Sequence, residues 1–241
     1  MKQIIVVFFF LIVSTSVFAQ QFEGELIYEI HDSTGKVIPM KIYGRDNHAR
    51  MKGEIAGTMV DIYVTPDSMA MVFPQLGFML GKDSAIAFFQ FSSQDKAGPD
   101  SLIHIIPTSQ TKVISGFRCT CMDVDYRSGK KKEYWVTSEV DTDICMMFYR
   151  SSWLNLWGPA DGTAQFTLNL NKSGKLIIST SEMNKNNVMV SESILRKVAR
   201  RPIADDEVLI PPTVTLWRVN PQFFKNAVAA EAKKKESEQQ K

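Results

Sequence analysis

Phe22 to Ile30 (FEGELIYEI) places Phe22, Leu26, Tyr28 and Ile30 on one side of an extended chain and Glu23, Glu25 and Glu29 on the other. Successive side chains of a strand point to opposite faces, so this alternation makes a strand with one oily and one wet face. Asp32-Ser33-Thr34-Gly35 supplies turn residues, and residues 37–43 return with the same alternation, the signature of a hairpin. The pattern continues at 48–52, 59–64 and 69–73, divided by turns at 53–57 and 65–68. It resumes at 111–115, 121–126 and 133–137, and again at 165–170, 175–181 and 188–195, with turns at 171–174 and 184–187. Short strands parted by polar turns predict an antiparallel meander, not alternating β-α-β units.

Three stretches break this period. Val140, Ile144, Met147, Phe148 and Ser151 recur at spacings of three and four, and Leu154 extends the row. That spacing predicts one amphipathic helix near 141–156, with Asp141 and Asp143 at its positive end, Trp153 and Trp157 near its close, and Gly158-Pro159 as its stop. Residues 84–91 (SAIAFFQF) fit either a short helix or a strand, and 92–100 read as a polar loop. Asn220-Pro221 is a helix start, with Phe223, Phe224, Ala227 and Val228 available for docking, and 231–241 is a polar tail.

The first residues predict export. Lys2 gives a short positive start, residues 4–13 are unbroken apolar, and Val17-Phe18-Ala19 fits a signal-peptidase site, so cleavage is expected after Ala19. A membrane span needs about 20 apolar residues, roughly twice this run, so the mature chain is not expected to span a membrane. No Cys stands at the cut to be lipidated. The expected organisation is a signal peptide at 1–19, one domain over 20–219, and a C-terminal helix with a polar tail over 220–241. The expected location is the periplasm, with association to the outer membrane left open.

A formal net charge of +2 argues against a nucleic-acid binder, and Lys130-Lys131-Lys132 after Ser128-Gly129 reads as a solvated hairpin tip. Cys119, Cys121 and Cys145 make an odd count. Cys119 and Cys121, two apart on a strand, face the same way, and bridging them strains the backbone. A disulfide, if formed, is expected between Cys145 and either Cys119 or Cys121. A Cys-x-Cys without further ligands nearby is a poor zinc site, and no metal is expected.

Several pieces occur in an order that resembles the exported bacterial proteins grouped as the domain of unknown function DUF4412, and more distantly the periplasmic lipoprotein carriers LolA and LolB. Phe22-Glu23-Gly24 opens the first strand as that family's "F-x-G" start does. Residues 112–119 (KVISGFRC) are similar to its "K-x-I-x-G-(Y/F)-x-C" stretch, and Tyr134-Trp135-Val136-Thr137 to its "x-W-V-T" strand. Residues 175–182, 188–194 and 208–211 are similar to its closing run. Cys121, Pro212 and the basic tail depart from it. The resemblance implies a mainly β (α+β) fold: a strongly curved antiparallel sheet, or incomplete β-barrel, with helices over its concave side. It carries no catalytic motif.

Catalytic chemistry finds little footing in the residues. There is no Gly-x-Ser-x-Gly and no Gly-rich phosphate loop, and His31, His48 and His104 stand in no recognised motif. Asp205-Asp206 reads as a solvated loop pair. No catalytic residue and no cofactor are expected.

The chain is instead rich in Met on apolar segments, a soft side chain suited both to irregular cores and to apolar ligands. Tyr28, Met59, Met71, Phe88, Met122, Tyr126, Met147, Phe148 and Trp153 are therefore the candidate ligand-lining residues. The expected function is a non-enzymatic periplasmic carrier for a lipid or acyl group held between sheet and helical lid. The alternative is an envelope interaction module in which Trp153, Trp157 and the C-terminal helix dock a protein partner.

Overall fold

The computed structural model describes residues 21–55, 58–65, 68–85, 102–150 and 163–217. The first six strands are β1 (Gly24–Asp32), β2 (Val37–Arg45), β3 (His48–Ile55), β4 (Thr58–Val64), β5 (Met69–Phe73) and β6 (Phe78–Gly81). The rest are β7 (Leu102–Ile114), β8 (Phe117–Tyr126), β9 (Lys131–Thr137), β10 (Leu176–Met183), β11 (Met189–Arg200) and β12 (Thr215–Trp217). Among the described residues they form one sheet in the order β12-β6-β5-β4-β3-β2-β1-β11-β10-β9-β8-β7. Every neighbouring pair is antiparallel except β12–β6. The protein is thus mainly β, an open curved antiparallel sheet carrying few helices, as the alternation predicts. No helix among the described residues is long and apolar enough to cross a membrane.

One face of this sheet holds the main core. Leu26 and Tyr28 of β1, Ile42 of β2, Met51 of β3, Val60 and Ile62 of β4, and Met71 of β5 pack there with Cys119, Cys121 and Trp135 from β8 and β9. Helix α1 (Thr142–Arg150) lies on this side, contributing Ile144, Cys145 and Met147. The sheet curls strongly: Ser115 Oγ, in the β7–β8 turn, donates to Leu195 O on β11, three strands beyond β8 in the order. Irregularities at Ile27/Tyr28 on β1, at Ile177/Ser179 on β10 and between Pro107 and Thr111 on β7 help that bending.

A second, smaller core lies on the opposite face. Val124 and Tyr126 of β8 and Tyr134 and Val136 of β9 alternate with Cys121 and Trp135, and pack with Phe166 and Leu170. Those last two belong to helix α2 (Thr163–Lys172), where the sequence pattern predicts a strand over 165–170. Phe166, Leu168 and Leu170 satisfy period two, but Phe166 and Leu170 are also one helical turn apart. A run this short fits both periods, and the sheet face it covers decides between them. The predicted turn at 171–174 is the helix end. Gly174 adopts φ +74°, its N–H bonds Asn171 O at 3.0 Å, and Lys175 N–H bonds Leu170 O at 2.9 Å. This pair of bonds is a Schellman closure, which glycine enters without steric cost. Helices therefore cover both faces, not the concave side alone.

Smaller departures follow from packing. Gly53, expected in a turn over 53–57, stays in β3 opposite Val60. β4 and β5 are buried on both faces, so alternation there reports no wet side. Asp61, on the outer face, is buried and bonds Arg50 at 2.5 Å, and Arg50 reaches the Asp206 and Glu207 carbonyls of α3 (Asp205–Val208). The Asp205-Asp206 pair is thus exposed on a short helix, not in a loop. Residues 82–85 are helical, while Phe88, Trp153, Trp157 and the 220–241 segment lie outside the described residues.

Candidate functional site

Most of the described candidate ligand-lining residues are packed into the two cores. Met71 has no exposed surface and Tyr28 is buried, its hydroxyl donating to Ile177 O at 3.1 Å. Desolvation pushes the Tyr28 phenol far up, with Cys145 adding to it. Phe148 packs against the main core, Met122 and Tyr126 belong with the second core, and Met59 is half-buried on β4. Among the candidate ligand-lining residues that are described, Met147 lines an open cleft.

That cleft, about 510 Å³ in volume, lies where the N-terminal half of α1 meets the ends of β1, β2 and β11. Its shape starts from two glycines. Gly24 and Gly44 face each other across β1 and β2. A methyl on Gly44 would overlap Met147 Sδ and approach Phe22 Cδ1 to 3.1 Å, and one on Gly24 would overlap the Ala199 carbonyl. The bare patch lets Met147 and Phe22 sink onto the sheet, and with Met146 they form the apolar floor.

The rim is polar. The β2–β3 hairpin closes through Asp46 (φ 50°) and Asn47 (φ 65°), a two-residue turn whose left-handed residues match strand twist. It carries Arg45 and Asn47 to the cleft. Arg45 donates to Ile203 O and to Asp205, both at 2.6 Å. Opposite stand Asp141 and Asp143 at the start of α1, bridged by Arg200 from the end of β11 at 2.7 and 2.8 Å. The Arg200 guanidinium lies 5.4 Å from the Phe22 ring centre. Hydrogen bonds donated to Asp143 and then to Asp141 hold its pKa above the ordinary range. The two carboxylates also meet the positive end of the helix dipole, so charge and dipole together dock α1 on the sheet.

Sequence reasoning missed Phe22, Arg45, Asn47, Met146 and Arg200 as site residues. The available signals were Gly44 inside an otherwise regular strand, and the Asp-x-Asp at the helix start. The three cysteines are free and buried, not bridged. Cys119 and Cys121 belong to one strand face and Cys145 to α1, all within the main core, and burial raises the pKa of each thiol. Among the described residues, no cluster of three or more His, Cys, Asp or Glu is placed to hold a metal ion.

No protein-family model and no curated protein matches the chain. Among solved structures, it is similar to an uncharacterised conserved protein of Thermus thermophilus, at 5% identity and TM-score 0.43, over 82% of this chain and 91% of that one. It is similar to the Pseudomonas aeruginosa MucA/MucB complex at 12% identity and TM-score 0.40, over 82% of this chain but only 58% of that one. A Vibrio parahaemolyticus chain named for an outer membrane lipoprotein-sorting domain matches at 7% identity and TM-score 0.27, over 85% of this chain and 89% of that one. Likenesses this distant carry no functional information about this chain.

Proposed function

We propose that this protein is a non-enzymatic binding protein of the cell envelope, working in the periplasm after removal of residues 1–19, that holds a lipid or acyl group in the cleft beside α1. One observation carries the reading: a cavity of about 510 Å³ with an apolar floor of Phe22, Met146 and Met147 under a polar rim. Small-molecule sites have this size and this division between apolar walls and a few polar groups. Membership of the DUF4412 group, expected from the motif order, is a proposal of the same standing. The test is to extract the purified mature protein with organic solvent for mass spectrometry, and to titrate it with the neutral apolar dye Nile red. Dye binding should be saturable. Met146→Arg, a half-buried position, should abolish it while the circular dichroism spectrum stays native. Unchanged dye binding by that variant contradicts the reading.

A second reading rests on β7. Among the described residues it is an edge of the sheet, thirteen residues long, and Ile103, Ile105, Ile106 and Val113 are exposed on it. An edge strand presents unpaired backbone groups, a surface on which a partner's extended apolar segment adds as a further strand. Pro107 and the irregularity that follows it confine that pairing to the first half of the strand. Cross-linking from a probe at position 105 to a specific envelope protein, lost in Ile105→Lys, supports this reading. Labelling no different from that of the lysine variant removes it.

A further inference from the structure

The rim of the cleft distinguishes its two arginines, and that difference speaks to the ligand's head. Arg200 is committed: it bonds both Asp141 and Asp143, and these acids hold the start of α1. Asp143 is largely covered, its side chain 16% exposed, so drawing Arg200 away would strand a carboxylate at the helix start. Arg45 is held differently. Its guanidinium is aimed by the Ile203 carbonyl, and its side chain is 23% exposed. Its acidic partners, Asp205 and Asp46, are 79% and 80% exposed. Releasing an exposed carboxylate to water costs little, because such pairs are worth little. Arg45 is therefore an oriented cation, fixed on one side by backbone and matched on the other by an exchangeable surface acid.

Beside it stands Asn47, an exposed amide on the same turn. The same cleft is lined by Phe22, Met146 and Met147. A cation and an amide donor in one cleft with three apolar side chains match a carboxylate attached to a hydrocarbon chain. Resting on the binding reading above, we infer that the cleft takes a single-chain anionic amphiphile, a fatty carboxylate. Its chain lies over Phe22, Met146 and Met147, and its carboxylate takes the place of Asp205 on Arg45. The guanidinium fork donates two parallel hydrogen bonds to a carboxylate, which an ammonium head cannot receive.

The experiment compares chain-matched dodecanoate, dodecanamide and dodecylammonium, below their micellar concentrations at pH 8, as displacers of Nile red. Dodecanoate should bind roughly tenfold tighter than dodecanamide, the size of a charge-assisted hydrogen bond at a part-exposed site. Dodecylammonium should bind weakest. Arg45→Gln should bring dodecanoate and dodecanamide to equal affinity. Asp205→Asn, a surface change that removes the competing acid, should strengthen dodecanoate binding a few-fold and leave dodecanamide unmoved. Equal affinity for the three heads, or an unaltered ranking in Arg45→Gln, overturns the anionic assignment and leaves the cleft as an apolar site. No saturable dye binding to the native protein removes the underlying reading as well.

Discussion

Replacing Gly44 by alanine tests how the cleft is built. The new Cβ would overlap Met147 Sδ and stand 3.1 Å from Phe22 Cδ1. Alanine is ordinarily the better residue in a strand interior, worth about 0.5 kcal/mol through reduced backbone entropy. Against this, forcing one carbon into a packed site costs about 1–3 kcal/mol. Met is flexible and can rotate away, but Met147 is only 9% exposed, so rotation surrenders part of its burial. The net expectation is a loss of about 1–2 kcal/mol, which for a domain of this size lowers Tm by roughly 3–6 °C.

Gly53→Ala is the internal control, since a methyl there meets Met40 Cγ at 3.7 Å and Cβ at 3.9 Å, both ordinary contacts. It should be neutral or slightly stabilising. Urea unfolding of Gly44→Ala, Met147→Ala and the double variant closes a cycle. With the thioether gone, the methyl at position 44 should cost almost nothing, giving a coupling of about 1–2 kcal/mol between the two sites. Additive losses, or Gly44→Ala as stable as Gly53→Ala, would show that Met147 does not occupy the bare patch.

Other expectations follow from the same contacts. Arg201 holds the Glu207 carboxyl down at about 2, so its contribution is complete above pH 4.5 and disappears as pH falls toward 2. Both groups are part-exposed, so the contribution is about 1 kcal/mol, and Glu207→Gln should flatten the stability profile over that interval. Burial pushes the Cys121 and Cys145 thiols up to about 11, so neither should react with a thiol-specific disulfide reagent at pH 8 until urea unfolds the chain. Prompt titration of the native protein would contradict their placement. Tyr28→Phe removes the bond to Ile177 O and should cost about 1 kcal/mol in urea unfolding, leaving Nile red affinity unaltered because Tyr28 belongs to the core.

The sheet was legible because burial on one face writes itself into every second residue of strands such as β1 and β2. β5 matches its predicted limits, 69–73, because turn residues bound it closely. α2 was not legible: three apolar residues in six satisfy both periods, and only the sheet face it covers selects the helix. β6 is only four residues long and β7 is exposed along nearly its whole length, so neither writes a clear alternation. The outer-face burial of β4 depends on Arg50 and the distant α3, which local patterning does not encode. The site was harder still. Met content pointed to residues that fill the interior, since apolar character cannot separate a core side chain from a ligand-facing one. The cleft instead arises where side chains are missing, at Gly24 and Gly44, and where Arg200 meets two aspartates 57 and 59 residues away.

A photoreactive diazirine fatty acid, cross-linked to the purified protein and mapped by mass spectrometry, asks most directly where a ligand lies. Adducts on Phe22, Met146 and Met147, competed away by excess dodecanoate, are the predicted result. Adducts on interior residues such as Met71 or Leu195, or labelling that dodecanoate does not reduce, would contradict a filled sheet that binds at its rim.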